Sequence, residues 1–159
     1  MIGALAGDME FSWRYVATLD GRTCLACGAD DGKLFKRNEP RPSLPRHINC
    51  RCVYVPVTPT WKQLGADVDE FVDDPARAAT KESGRVVHHR DGSTSTKFTV
   101  ESVEHTTESY AEWIQRQVRA DPDFARQVLG KTRFELLRQG KITMDRMVVD
   151  GRIKTLAEL

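Results

Sequence analysis

All four cysteines of this chain lie within 29 positions, in two tight groups. "RTCLACGADDGKLF" holds Cys24 and Cys27; after 19 intervening residues comes His47, in "PRHINCRC", which also holds Cys50 and Cys52. A fold that gathers its thiols so closely must bring the two groups together for a reason. The chemistries on offer are a metal site, a pair of disulfides or a catalytic thiol centre. Zinc takes four soft or borderline ligands in a tetrahedron, and two short-spaced groups joined by a loop deliver that arrangement. The first pair is expected on a turn that the glycines allow to bend. The second group offers three candidates for the remaining two positions. Cys24, Cys27, His47 and Cys50 are the favoured set, with Cys52 able to replace either of the last two. Separately packed reduced cysteines are a poorer account of such clustering.

Composition narrows the choice further. The 159 residues are 40% hydrophobic and 30% charged with a net charge of +1, an ordinary soluble balance with no general pull toward nucleic acid or membrane. No apolar run approaches the ~20 residues that span a bilayer. The opening "MIGALAGDME" has neither a basic segment nor a sustained apolar core, so it does not read as a signal peptide. A reducing compartment is therefore expected, where clustered thiols bind metal and disulfides are rare. A redox C-x-x-C would be expected to open a helix in a βαβ setting, which the β-rich surroundings do not suggest. A tetrahedral site made wholly of protein ligands is closed, so the expected role of Zn2+ is structural.

The expected class is α+β: a small β-rich zinc-knuckle domain, a β-hairpin middle segment and a helical C-terminal segment. Residues 1–10 read as a flexible lead. Residues 11–60 form the β-rich unit, since "FSWRYVA" alternates, "KLF" makes a short return strand and "CRCVYVPV" a strand held to an edge by Pro56. The three prolines of "NEPRPSLPRH" make an extended loop. Residues 61–106 connect, with one or two short helices up to Thr80 and then a hairpin turning at Asp91-Gly92. Residues 107–159 are helical. Thr106 or Thr107 is the expected cap of a helix carrying Tyr110, Trp113 and Ile114; Asp121-Pro122 opens a second, which Gly130 ends. A third ends at Gly140, Thr143 caps a further turn with Ile142 stapled to Met147, and Thr155 and Glu158 have capping-box spacing. Trp113, Ile114, Phe124, Leu129, Phe134, Leu136 and Leu137 are the expected core.

"WRYVATLDGRTCLACGADDGKLF", a proline-rich gap and "PRHINCRCVYVPV" together resemble the C-terminal region of phage minor head proteins of the Mu F-like head-morphogenesis family. Trp13, Asp20, Arg22, Thr23, Cys24, Cys27, Asp31, Gly32, Pro45, His47, Cys50, Arg51 and Cys52 carry that likeness. "SYAEWIQRQ", "VLGKTRFELLRQGKIT" and "TLAEL" resemble the tail of phage-encoded members, so the likeness covers roughly 11–64 and 108–159. The middle is less familiar, and the family's upstream helical portion has no counterpart here. The resemblance implies a capsid-associated protein, present in few copies, that acts in head assembly and associates with the portal, other head proteins or packaged DNA. It implies no enzymatic activity, small-molecule substrate or membrane, and a location in the host cytoplasm during assembly and then in the virion.

Two other functions compete. Lys33, Lys36, Arg37, Arg41, Arg46 and Arg51 surround the metal loop and could contact phosphates, making the knuckle a zinc-dependent nucleic-acid-binding module. "VVHHRDG" resembles the start of an HNH nuclease, but no asparagine follows Asn49 to complete a cation site. Lys81, Arg85, His88, Lys97 and Thr99 could serve a metal-free ribonuclease of the toxin kind; they equally describe a solvated hairpin face.

Overall fold

The structure is a computed structural model that describes residues 11–62, 64–68 and 76–159. The expected flexible lead, and part of the expected helix before Thr80, lie outside those residues.

A three-stranded antiparallel sheet forms from β1 (Ser12–Val16), β3 (Leu34–Lys36) and β4 (Val53–Val57), with β1 in the middle. Pro56 sits on β4 opposite Trp13, at the sheet edge where its missing N–H costs nothing. The alternation of β1 buries Tyr15 completely, and Ala17 beyond its end, against Cys27. β2 (Leu19–Asp20) leaves this sheet and pairs in parallel with the base of β5 (Arg77–His88), Leu19 beside Ala79. The expected turn at the first cysteine pair is a short helix, α1 (Leu25–Asp30). Cys24 takes the N-cap position, and its sulfur accepts from the Cys27 amide, so the pair itself supplies the helix start.

The hairpin at Asp91-Gly92 is longer than its turn signal suggests. β5 (Arg77–His88) and β6 (Thr94–Thr106) make a two-stranded ribbon that closes through residues 89–93, Gly92 taking φ +82. β5 starts where helix was expected to end, at Arg77, and no helix is present at 59–62 or 64–68. Trp61, Leu64 and Val68 of that stretch stay exposed, and Gly65 takes φ +80, which turns the chain out of a helix.

Three helices follow: α2 (Tyr110–Ala120), α3 (Pro122–Leu129) and α4 (Lys131–Arg138). α2 is capped by Ser109 rather than Thr106 or Thr107, because Glu112 closes a capping box on Ser109 while Thr106 stays in the ladder of β6. Asp121 and Pro122 open α3 as expected. A single-turn helix at Asp145–Met147 leads to a small hairpin, β7 (Val148–Val149) and β8 (Arg152–Ile153). Its turn is another Asp-Gly pair, Asp150-Gly151, with strands too short to register as alternation in the sequence. The expected capping box of Thr155 and Glu158 is present.

The main core joins Trp113, Ile114, Phe124, Leu129, Phe134 and Leu137 to Leu19 and Leu25 from the cysteine-bearing segment; Leu136 packs at its rim. The knuckle therefore rests on the helices through Leu19 and Leu25, beside a small cluster of its own around Tyr15, Ala17 and Cys27. Gly28 is the point of closest approach. A Cβ there would stand 2.3 Å from Cδ1 of Tyr110, whose ring is fully buried. Gly28→Ala should destabilise the protein by about 2–3 kcal/mol, since that ring has nowhere to move. Urea denaturation will check this, and a loss below 0.5 kcal/mol would show that α1 can slide on α2.

Candidate metal centre

The chain delivers its five candidate ligands from three local devices. α1 presents Cys24 at its cap and Cys27 one turn later, on one side of the helix. In the loop, the Cys50 amide donates to the His47 carbonyl, and Asn49 takes φ +64 to close that turn. The chain then runs extended, so Cys50 and Cys52 face one way and Arg51 the other. Arg51 reaches Asp20 with both guanidinium nitrogens. The Cys-Arg-Cys spacing thus supplies two ligands and one anchor in three residues.

The sulfurs and the imidazole meet as expected. Nε2 of His47 lies 3.3 Å from Sγ of Cys24 and 3.4 Å from Sγ of Cys27. The sulfurs of Cys27, Cys50 and Cys52 lie within 4.8 Å of one another, so Cys27 belongs to both ligand groups. At Zn–S bonds of about 2.3 Å, tetrahedral ligands stand roughly 3.8 Å apart, within reach of ligand atoms held this close. Nδ1 of His47 lies 2.9 Å from the Ile48 carbonyl. Donation to that oxygen leaves Nε2 unprotonated and free to bind metal.

Electrostatics prepare two of the thiols for a cation. Hydrogen bonding with Cys27 pulls the Cys24 thiol down to about 5, against the opposing effect of burial. The same neighbour brings Cys52 down to about 6. Cys27, between them, is pushed up, first by Cys24 and then by Cys52 and burial. Thiolates held this close repel each other, and a bound divalent cation would relieve that repulsion.

Tyr15 supplies a further sign of fit. Its hydroxyl is buried and has no partner at normal hydrogen-bond geometry among the described residues. It lies against Cys27 and Cys52, and burial followed by those sulfurs raises its pKa. A buried phenol beside thiols gains an acceptor once the sulfurs are fixed as thiolates. Tyr15→Phe should weaken zinc binding about tenfold while leaving the far-ultraviolet spectrum unchanged. Competition with a chromophoric chelator will measure it, and equal affinities would remove the hydroxyl from the site. In the sequence Tyr15 is one residue of an alternating strand; its adjacency to sulfur depends on where β4 returns.

The basic residues around the loop are largely engaged. Arg46 pairs with Asp30 at 2.5 Å and lies over the Tyr15 ring. Arg51 pairs with Asp20, and Arg41 stacks over Trp13 and Tyr54. Lys33 reaches Asp30 at 2.5 Å. Lys36 and Arg37 are exposed at the end of β3. These residues brace the knuckle more than they form a continuous cationic face.

The enzyme constellations do not assemble. His88 and His89 stand at the ribbon's tip, while His105 pairs with Ala78 at its base. Asp121 is held by Lys81 at 2.6 Å. Lys81, Arg85, His88, Lys97 and Thr99 are strung along the ribbon, with only Arg85 and Lys97 directly opposite each other.

A residue with no assigned role in the sequence proves central to the scaffold. The Asp31 carboxylate accepts from the Ala17 amide at 2.7 Å, the Tyr110 amide at 2.7 Å and both terminal nitrogens of Arg77, at 2.7 and 2.5 Å. Its partner Arg77 also donates to the carbonyls of Ala17 and Glu108. One carboxylate thus ties knuckle, ribbon and α2 together.

Residues 6–55 match the family model described as Phage Mu protein F like protein. The match covers the N-terminal third of this chain and all five candidate ligands; it does not extend to residues 108–159, the other part of the resemblance. No curated protein and no solved structure matches the chain. No helix among the described residues is long and apolar enough to cross a membrane.

Proposed function

We propose, from the premise that residues 6–55 belong to the Mu F-like family, that this chain is a structural component of phage head assembly held in shape by one zinc ion. The observation that carries the reading is the family's cysteine pattern folded into a single ligand cluster, with Cys27 common to both ligand groups. Cys24, Cys27 and His47 would hold the metal with Cys50 or Cys52, and the ion would fix the loop to α1. The role we assign is non-enzymatic, because a metal held wholly by protein ligands would have no open position for a substrate, and among the described residues His88 and His89 lie at the ribbon's tip, far from His105 at its base.

The partners we assign are the portal or another head protein, with packaged DNA as a further partner. The chain would act in the host cytoplasm during assembly and remain in the virion. The spent arginines of the metal loop make that loop a poor DNA contact, so a zinc-knuckle nucleic-acid module is the weaker reading. Co-purification with portal protein tests the assignment. Capture of portal by the zinc-loaded chain, with loss after Cys24→Ser/Cys27→Ser, is the expected result. No capture of portal or any other head protein, together with heads that lack the chain, would sink it.

A further inference from the structure

The ribbon leaves the body of the protein at a definite point. Up to Lys81 it is tied down: Leu19 and Asp20 pair with Ala79 and Thr80, Lys81 pairs with Asp121, and Arg116 of α2 takes Glu104. A register shift between Lys81 and Glu82 marks the change. Beyond it, no hydrogen bond, ion pair or ring contact joins the ribbon to the rest of the described residues. A two-stranded ribbon is marginal in water by itself, so an outer half this long implies a surface on which it rests.

Its charge identifies that surface. Arg85 and Lys97 stand directly opposite each other in the ladder, on one face with Ser83, Ser95 and Thr99. Like charges in that position repel, and neither has a carboxylate partner among the described residues. Arg90 adds a third exposed cation in the turn, beside His88 and His89. The one acid between Arg85 and Lys97, Asp91, is turned back on its own loop, accepting from the amide and hydroxyl of Ser93. The acids near the base, Glu101 and Glu104, are met by Lys81 and Arg116. Among the described side chains of the ribbon, Arg85, Arg90 and Lys97, all toward the tip, carry positive charge with no carboxylate partner.

We propose that the outer half of this ribbon is a docking arm for duplex DNA, with Arg85, Arg90 and Lys97 on phosphates. The inference rests on the DNA part of the functional reading and moves the contact from the metal loop to the arm. The polyanion relieves the repulsion between Arg85 and Lys97, and a two-stranded ribbon is a shape that the major groove accommodates. Three phosphate contacts make binding weak, sequence-independent and steeply salt-dependent.

The test measures fluorescence anisotropy of a labelled 30-base-pair duplex with the zinc-loaded full chain. The expected affinity falls about 40-fold between 50 and 200 mM salt, as three released counterions require. Arg85→Ala/Arg90→Ala/Lys97→Ala should abolish binding without changing zinc content. Lys97→Glu should also abolish it while raising thermal stability, because Arg85 then faces an acid. No binding at 50 mM salt, equal binding by the triple variant, or loss of portal capture in that variant with DNA binding intact would each overturn the proposal. If portal capture fails in the wild type while DNA binding and its arm dependence hold, the head-assembly reading falls and this surface stands.

Discussion

Replacing Asp31 with alanine should destabilise the protein by about 3–5 kcal/mol. The side chain is 1% exposed and receives four hydrogen bonds, two of them from the Arg77 guanidinium. Removal strands that guanidinium in a mostly buried setting and orphans two backbone amides, one at the start of α2. Asp31→Asn keeps the shape but loses the charge, and should recover less than half of the loss. Urea denaturation monitored by tryptophan fluorescence will give both values. A cost near 1 kcal/mol for the alanine variant would mean that water replaces the carboxylate, and that the three segments hold together without it.

The second large effect is expected at Cys27. Because its sulfur belongs to both ligand groups, Cys27→Ser should remove zinc altogether, whereas Cys50→Ser or Cys52→Ser leaves a complete set of four. Elemental analysis should find one equivalent of zinc in the wild type and in each of the latter two variants, and less than a tenth in Cys27→Ser. Chelation of the wild type and the Cys27→Ser change should produce the same outcome: the knuckle unfolds while α2, α3 and α4 persist, lowering the first melting transition by more than 10 °C. The separation follows from the two clusters of buried residues, one around Tyr15 and Cys27 and the other among the helices. Equal zinc content in Cys27→Ser and wild type would show that the ion, if bound, is held elsewhere.

The cysteine cluster was legible in the sequence because ligand spacing is a local property: three residues at a helix start or two in an extended segment set where sulfurs point. The same holds for Asp121-Pro122, for Gly92 in its turn, and for the apolar stripe of α2. What could not be read were relations between distant segments. The short α1 was hidden because six residues carry no helical period, and a cysteine is an unusual cap. Asp31 looked like a turn residue before Gly32; only the arrival of Arg77 and Tyr110, 46 and 79 positions away, makes it a hub. Arg46 and Arg51 looked like cations available for phosphate, since the acids that bind them lie 16 and 31 residues upstream. The length of the ribbon was masked by its polar composition, because a strand solvated on both faces shows no alternation.

The bulge between Lys81 and Glu82 has one more consequence. The chain sets out at Arg77 and comes back opposite it at Thr106, and its anchors, among them the Asp31 clamp and the pairing of Ala79 with Leu19, lie on the near side of the bulge. Everything past that point can be shortened, lengthened or exchanged without asking the rest of the protein to rearrange. The fold therefore behaves as a socket, with a fixed base and a replaceable fitting. Cutting the ribbon back to a tight turn after Lys81 should leave zinc content and melting temperature within error of the full-length chain.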